Sequence, residues 1–155
     1  MAMKKAVNPG MKRSRTPWAT KLRPEMQPAV VEDPKGRGNL LLPTPLLIAD
    51  AISRVEPGEL MDVPGLRNEL AARHGADLTC PLMTGIFLNI IAGAAEEQIA
   101  SGEKPLAPWW RIIPANGILS DKTPCGPARQ AEHLREEGHP IERKGEKFRV
   151  TGFRR

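Results

Sequence analysis

Apolar positions fall into register near Leu40 and then keep a helical period through much of the chain. Behind Thr44-Pro45, residues Leu47, Ile48, Ala51, Ile52 and Val55 recur at three- and four-residue spacing. A hydroxyl N-cap followed by proline at the first helical position predicts a helix there, stopped by Pro57-Gly58. After the short apolar piece Glu59-Leu60-Met61, Asp62 opens a second helix with Pro64 in its first turn. Leu66, Leu70 and Ala71 form its stripe, and Gly75 ends it. Thr79-Cys80-Pro81 opens a third helix through Leu82, Ile86, Phe87, Ile90, Ile91 and Ala94 to about Ala100, closed by Ser101-Gly102. This is the longest and most apolar element, so part of it must be buried. Two helices joined by a link of about seven residues have the outline of a helix-turn-helix unit.

Beyond residue 107 the pattern changes. Pro108-Trp109-Trp110-Arg111-Ile112-Ile113 reads as a short strand, Asn116-Gly117 as a tight hairpin turn, and Ile118-Leu119 as the returning strand. Pro124-Cys125-Gly126-Pro127 opens a fourth helix through Leu134, stopped by Gly138, and Arg149-Val150 adds an edge strand. The expected fold is therefore mainly α within the α+β class: a winged helix-turn-helix-like domain of about four helices with a small β-wing.

Composition and charge divide the chain further. The 155 residues suffice for one ordinary domain, and 40% hydrophobic with 26% charged residues is globular. Residues 1–40 carry nine Lys/Arg against three acids, and residues 143–155 carry six against one. The segment 41–142 holds eight basic and fourteen acidic residues, an acidic body between two basic ends. Seven of sixteen prolines lie within residues 1–45. Residues 1–40 are thus expected as an extended basic arm, 41–142 as the folded domain and 143–155 as a basic tail. Within the arm, Trp18 is either a docking anchor or a lone loop aromatic, and Gly36-Arg37-Gly38 is a flexible joint with no phosphate-loop Lys-Ser/Thr behind it. No apolar run approaches the roughly 20 residues needed to span a bilayer. Nor does an apolar stretch follow the opening lysines as in a secretory leader. Two cysteines cannot build a disulfide framework, which points to the cytoplasm. Cys80, Cys125, His74, His133 and His139 lack zinc-ligand spacing, so neither metal nor cofactor is expected.

The ordered set of Pro108-Trp109-Trp110-Arg111-Ile112-Ile113, Asn116-Gly117, Gly126 and Leu134-Arg135-Glu136-Glu137-Gly138-His139 resembles the DNA-binding domain of the O6-alkylguanine-DNA alkyltransferase family. The family signature Pro-Cys-His-Arg-Val precedes a glycine turn, a Gly-Gly helix start and a Leu-…-Glu-Gly end. Upstream, Pro57-Gly58-Glu59-Leu60 and Pro81-Leu82-Met83-Thr84-Gly85 are similar to its Pro-Pro-Gly-Lys-Val and Pro-Arg-Ala-Val-Gly, so the likeness spans roughly residues 44–140. The resemblance implies a domain that flips a guanine into a pocket.

The departures decide the chemistry. The family accepts an alkyl group on a cysteine thiolate activated by histidine and oriented by glutamate. Here Trp109 stands at the cysteine position and Trp110 at the histidine position, while Glu137 matches the glutamate. An indole has no free lone pair with which to attack a saturated carbon, so alkyl transfer at this site is excluded. A tryptophan at the cysteine position resembles the alkyltransferase-like proteins, which bind alkylated guanines without repairing them and recruit excision repair. Leu82 replaces the arginine that fills the gap left by the flipped base, and the chain has no tyrosine to turn the phosphate. The third helix is extended by residues 89–100 relative to the family.

The first expectation is accordingly a non-catalytic protein that binds duplex DNA, with repair proteins as partners. Its lesion-binding residues are Trp109, Trp110, Arg111, Leu82, Thr84, Gly85, Asn116 and Glu137. Strand alternation would turn one tryptophan to the core and one, as a stacking platform, to the pocket; the alternative is burial of both as simple packing. Arg111 either contacts phosphate or pairs with Glu137. A second expectation is a repurposed scaffold whose extended third helix binds a protein without engaging DNA. Cys125, just before a helix start, is either an inert small residue or a thiol whose pKa the helix dipole lowers, the basis of a third expectation, a thiol enzyme.

Overall fold

Thr44 accepts the Leu47 backbone N–H through its hydroxyl at 3.1 Å and starts α1 (Pro45–Ile52). Asp62 does the same for α2 (Val63–Arg73), taking the Gly65 N–H at 2.7 Å. The third and fourth helices, α3 (Pro81–Ala100) and α4 (Gly126–Glu136), also begin at prolines. The computed structural model describes residues 17–152. Around the four helices lie β1 (Ala29–Glu32), β2 (Asn39–Leu42), β3 (Met61–Asp62), β4 (Leu78–Thr79), β5 (Ile112–Ile113), β6 (Ile141–Lys144) and β7 (Lys147–Val150). Among the described residues the fold is mainly α within the α+β class, four helices and small β elements, as expected from the periodicity.

Leu41, Ile48, Ile52, Leu66, Leu70, Ile91, Ile113 and Leu134 are fully buried and join all four helices in one core. The strands are fasteners at its margins. Antiparallel β1–β2 extends through parallel β2–β4, which pins the link between α2 and α3. The Thr79 hydroxyl ties the same link to the Arg67 carbonyl at 2.8 Å.

Three expectations change. First, order begins upstream of Leu40. Trp18–Leu22 forms a 3-10 turn, and β1 and β2 form a hairpin. The Gly36-Arg37-Gly38 joint is its turn, with Gly36 and Gly38 at φ +73 and +107. Arg37 hydrogen-bonds Asp33 at 2.6 Å and holds that carboxyl down to about 2. Prolines flanking these short elements hide them from a compositional reading. A boundary at residue 40 therefore cuts through a hairpin; residues 1–16 and 153–155 of the expected arms lie outside the described residues.

Second, residues 109–113 are not a hairpin arm. Trp109–Arg111 is a 3-10 turn, and β5 pairs in parallel with β3, Met61 opposite Ile112. Both β5 side chains are buried, and a two-residue strand enclosed on both faces suits a parallel pair. Third, the hairpin of the second half is β6–β7, not the segment around Asn116-Gly117. The chain after Asn116-Gly117 returns to β7: Ile118 bridges Arg149, and the Leu119 N–H donates to the Phe148 carbonyl at 2.8 Å.

The N-terminal turn packs on the far half of α3. A Cβ on Gly93 would lie 2.3 Å from the Trp18 ring, so the indole sits directly on the helix backbone. The backbone N–H groups of Trp18 and Ala19 donate to the Glu97 carboxylate at 2.8 and 3.1 Å. Trp18 is thus an intramolecular anchor. At Gly93 and Glu97, the surface that the scaffold reading reserves for a partner is covered by the chain itself.

Candidate nucleic-acid interface

The tryptophan pair is built from its backbone outward. In a 3-10 turn successive side chains lie about 120° apart, so neighbours need not point to opposite faces as in a strand. Trp109 and Trp110 are accordingly both buried, 3% and 9% exposed, with their rings edge to face at 6.2 Å. The Gln130 amide, reaching from α4, donates to the Trp110 and Ile112 carbonyls at 3.1 and 2.9 Å and holds the turn. Of the two readings of the pair, burial of both rings is the one found, and the strand alternation that would turn one outward is absent.

A polar cluster sits behind the rings. Glu96 Oε2 accepts the Trp109 indole N–H at 3.1 Å and lies 2.8 Å from His133 Nε2. Its Oε1 accepts from Arg129 Nε at 2.6 Å, and Arg129 also pairs with Glu132. The His133 ring stacks on Trp110, centroids 4.0 Å apart and planes 11° from parallel. Burial pushes the Glu96 carboxyl up, but the hydrogen bonds from His133, Arg129 and Trp109 outweigh it and hold it below the ordinary glutamate value.

Arg111 and Glu137 form the structural pair and not a phosphate contact. Two guanidinium nitrogens reach the carboxylate, the shortest contact being 2.6 Å, and the third donates to the Val55 carbonyl at 2.7 Å. Burial raises the Glu137 pKa, yet the Arg111 hydrogen bonds leave it lowered overall. With its donors committed and its side chain buried, Arg111 ties the tryptophan turn to the ends of α1 and α4.

A cavity of about 500 Å³ opens beside the start of α3. Leu82, Gly85, Ile86 and Asn89 of α3 form one wall; Trp109, Ile112 and Gln130 form the back; Ser120, Lys122 and Thr123 close the far side. Its volume lies within the range of roughly 300–1,000 Å³ usual for small-molecule sites. Among the described residues Lys122 is the only charged one lining it, although the 41–142 segment is acidic. Leu82 and Ile86 are 72% and 48% exposed, the two largest apolar exposures on the first turns of α3.

The predicted site residues therefore separate. Leu82, Gly85 and Trp109 share the cavity. Trp110, Arg111 and Glu137 stand in the packing behind it. Thr84 is fully buried, its hydroxyl donating to the Cys80 carbonyl at 2.8 Å, and cannot meet a ligand. Asn116 is exposed outside the cavity lining, its side-chain oxygen accepting the Ile118 N–H at 3.0 Å. Cys125 is buried, which pushes its thiol up to about 12, with the nearby Glu96 charge adding to the effect. Of the two readings of Cys125, burial favours the inert residue over the reactive thiolate: desolvation outweighs the dipole. Among the described residues no group of three His, Cys, Asp or Glu could hold a metal, and no helix is long and apolar enough to cross a membrane.

Sequence reasoning missed Glu96, Arg129, Gln130 and His133 behind the rings, and Ile86, Asn89 and Lys122 in the cavity wall. The available signal was Glu96 itself, a carboxylate on the most apolar helix, where burial demands partners.

No family model matches the chain, and no curated protein matches it. Two similar solved structures are Schizosaccharomyces pombe Atl1 in complex with damaged DNA containing O6-carboxymethylguanine and the S. pombe ATL in complex with DNA. Each is 21% identical, covering 67% of this chain and 84% of that chain, at a TM-score of 0.46.

Proposed function

We propose that the protein binds duplex DNA without catalysis and takes an alkylated or otherwise distorted base, turned out of the helix, into the cavity beside α3. The observation that carries this reading is the apolar cavity itself, with Trp109 in its wall at the position where the resembled family keeps its nucleophile. A flipped base needs a desolvated slot, and extrusion costs a few kcal/mol, least at a damaged pair. The exposed Leu82, at the position of the family's intercalating arginine, is an apolar wedge able to unstack the duplex. Base–aromatic stacking returns roughly 1–3 kcal/mol when the ring is open. Trp109 presents only a small surface, so Ile86, Ile112 and the α3 wall supply the rest of the apolar contact.

The chemistry in the cavity is recognition and not transfer. An indole offers no nucleophile, and Cys125 is buried with a thiol too basic to ionise near neutral pH. Lys122 at the cavity supports an anionic backbone nearby, and the Lys/Arg-rich ends supply further cations. Repair proteins that act on the lesion after it is read complete the proposal.

The test is an anisotropy titration of the full chain with duplexes that differ only by one O6-methylguanine. The wild type is expected to prefer the modified duplex, and Trp109→Ala to lose that preference while keeping weak general affinity. Equal affinities for the two duplexes in the wild type overturn the reading.

A further inference from the structure

The geometry points to Glu96 as the positioning residue of the lesion cavity, an inference that rests on the DNA-reading function proposed above. Glu96 lies seven residues beyond Asn89, two turns along the same side of α3, so one helix supplies both a cavity wall and the anchor behind it. Its carboxylate is 2% exposed. It holds Trp109 directly through the indole N–H, and it holds Trp110 through His133, whose ring lies flat on that indole. These are the two positions where the resembled family keeps its cysteine and histidine. The segment of α3 that carries Glu96 is the extension, residues 89–100, by which this chain departs from that family.

A carboxylate is required by the donor inventory. Trp109 Nε1 and Arg129 Nε can only donate, and they approach opposite oxygens of Glu96. A glutamine has one oxygen and one NH₂ group. Its NH₂ must face either Arg129 or Trp109, so one buried donor loses its acceptor. Arg129 is charged and its Nε has no acceptor but residue 96, so leaving it unpaired costs more than leaving the neutral indole: the arginine keeps the oxygen and the indole is released. Ring placement, and with it the shape of the cavity's back wall, then depends on the Glu96 charge.

The experiment compares wild type, Glu96→Gln and the double variant Glu96→Gln/Arg129→Met. Two quantities are read: hydrogen exchange at the Trp109 indole N–H by NMR, and the affinity ratio for an O6-methylguanine duplex over the unmodified one. In Glu96→Gln the indole exchange is expected to accelerate and the ratio to fall, each by roughly ten-fold, the equivalent of one charge-assisted hydrogen bond. Affinity for the unmodified duplex is expected to change far less. Removing Arg129 lets the glutamine oxygen face Trp109, so the double variant is expected to recover slow exchange and part of the ratio. A role in folding alone predicts the opposite order, with the double variant the more impaired. The inference is overturned by wild-type exchange and ratio in Glu96→Gln, or by a folded double variant without recovery. A wild type that does not distinguish the duplexes overturns the DNA reading instead, while the indole exchange still decides whether Glu96 anchors Trp109.

Discussion

Substituting Gly93 by alanine separates two opposed effects of known size. Alanine is the better helix former by about 1 kcal/mol, so on propensity alone the exchange stabilises α3. The structure reverses the sign. The new Cβ would stand 2.3, 2.4 and 2.7 Å from three atoms of the Trp18 ring, a rigid group that cannot bend aside. The Trp18–Leu22 turn must detach, surrendering a half-buried indole and the two N–H donations to Glu97. Net of the cost of ordering the turn, its docking is worth about 2 kcal/mol. Gly93→Ala should therefore destabilise the protein by about 1 kcal/mol. In a Trp18→Ala background the obstacle is gone, and the same exchange should stabilise by about 1 kcal/mol. The sign inversion is the signature, read as a coupling of about 2 kcal/mol from urea unfolding of the four proteins. Limited proteolysis near residue 22 separates local detachment from global loss. Stabilisation by Gly93→Ala in both backgrounds would refute the docking argument.

Other predictions concern the site's support. Arg111→Met strands the half-buried Glu137 carboxylate and should cost about 1.5–3 kcal/mol in urea unfolding; a loss below about 0.5 kcal/mol contradicts the pairing. Glu96 and Glu137 titrate below their ordinary value of 4.5 in the folded protein, so the unfolded chain binds protons first. Their stabilisation should be complete above that pH and disappear as pH falls through the lowered native values. Glu137→Gln should flatten the acid limb of Tm against pH; an unchanged slope argues against it. Cys125, with its thiol at about 12, should resist iodoacetamide at pH 8 in the native protein and react after unfolding. Rapid native labelling at that residue would contradict its burial.

The helices were legible because local chemistry and tertiary burial agree in them. Thr44, Asp62 and Pro81 mark starts that sequence periodicity and structure share, and Gly75 and Gly138 adopt the positive φ expected beyond helix ends. The failures have one cause, decisions taken by distant partners. Trp109 and Trp110 look like alternating strand residues until Gln130, twenty positions on, claims the Trp110 carbonyl and Glu96 claims the Trp109 indole. Asn116-Gly117 is a turn, as read, but its returning chain finds β7 in place of the preceding strand. Within the expected arm, the Trp18–Leu22 turn is ordered because one aromatic meets one glycine 75 residues away, a contact that a proline-rich composition does not show. In the candidate site, Leu82, Gly85 and Trp109 could be read from ordered motifs, whereas Ile86, Asn89 and Lys122 belong to the cavity only through its three-dimensional closure.

The proposed function requires that DNA place a base in the cavity beside α3. Amide NMR of the ¹⁵N-labelled full chain, titrated with the O6-methylguanine duplex and then with its unmodified twin, reads this directly. The predicted result is a set of changes specific to the modified duplex at Leu82–Asn89 and Ser120–Thr123. Changes common to both duplexes and confined to the basic ends, with those residues silent, would contradict it.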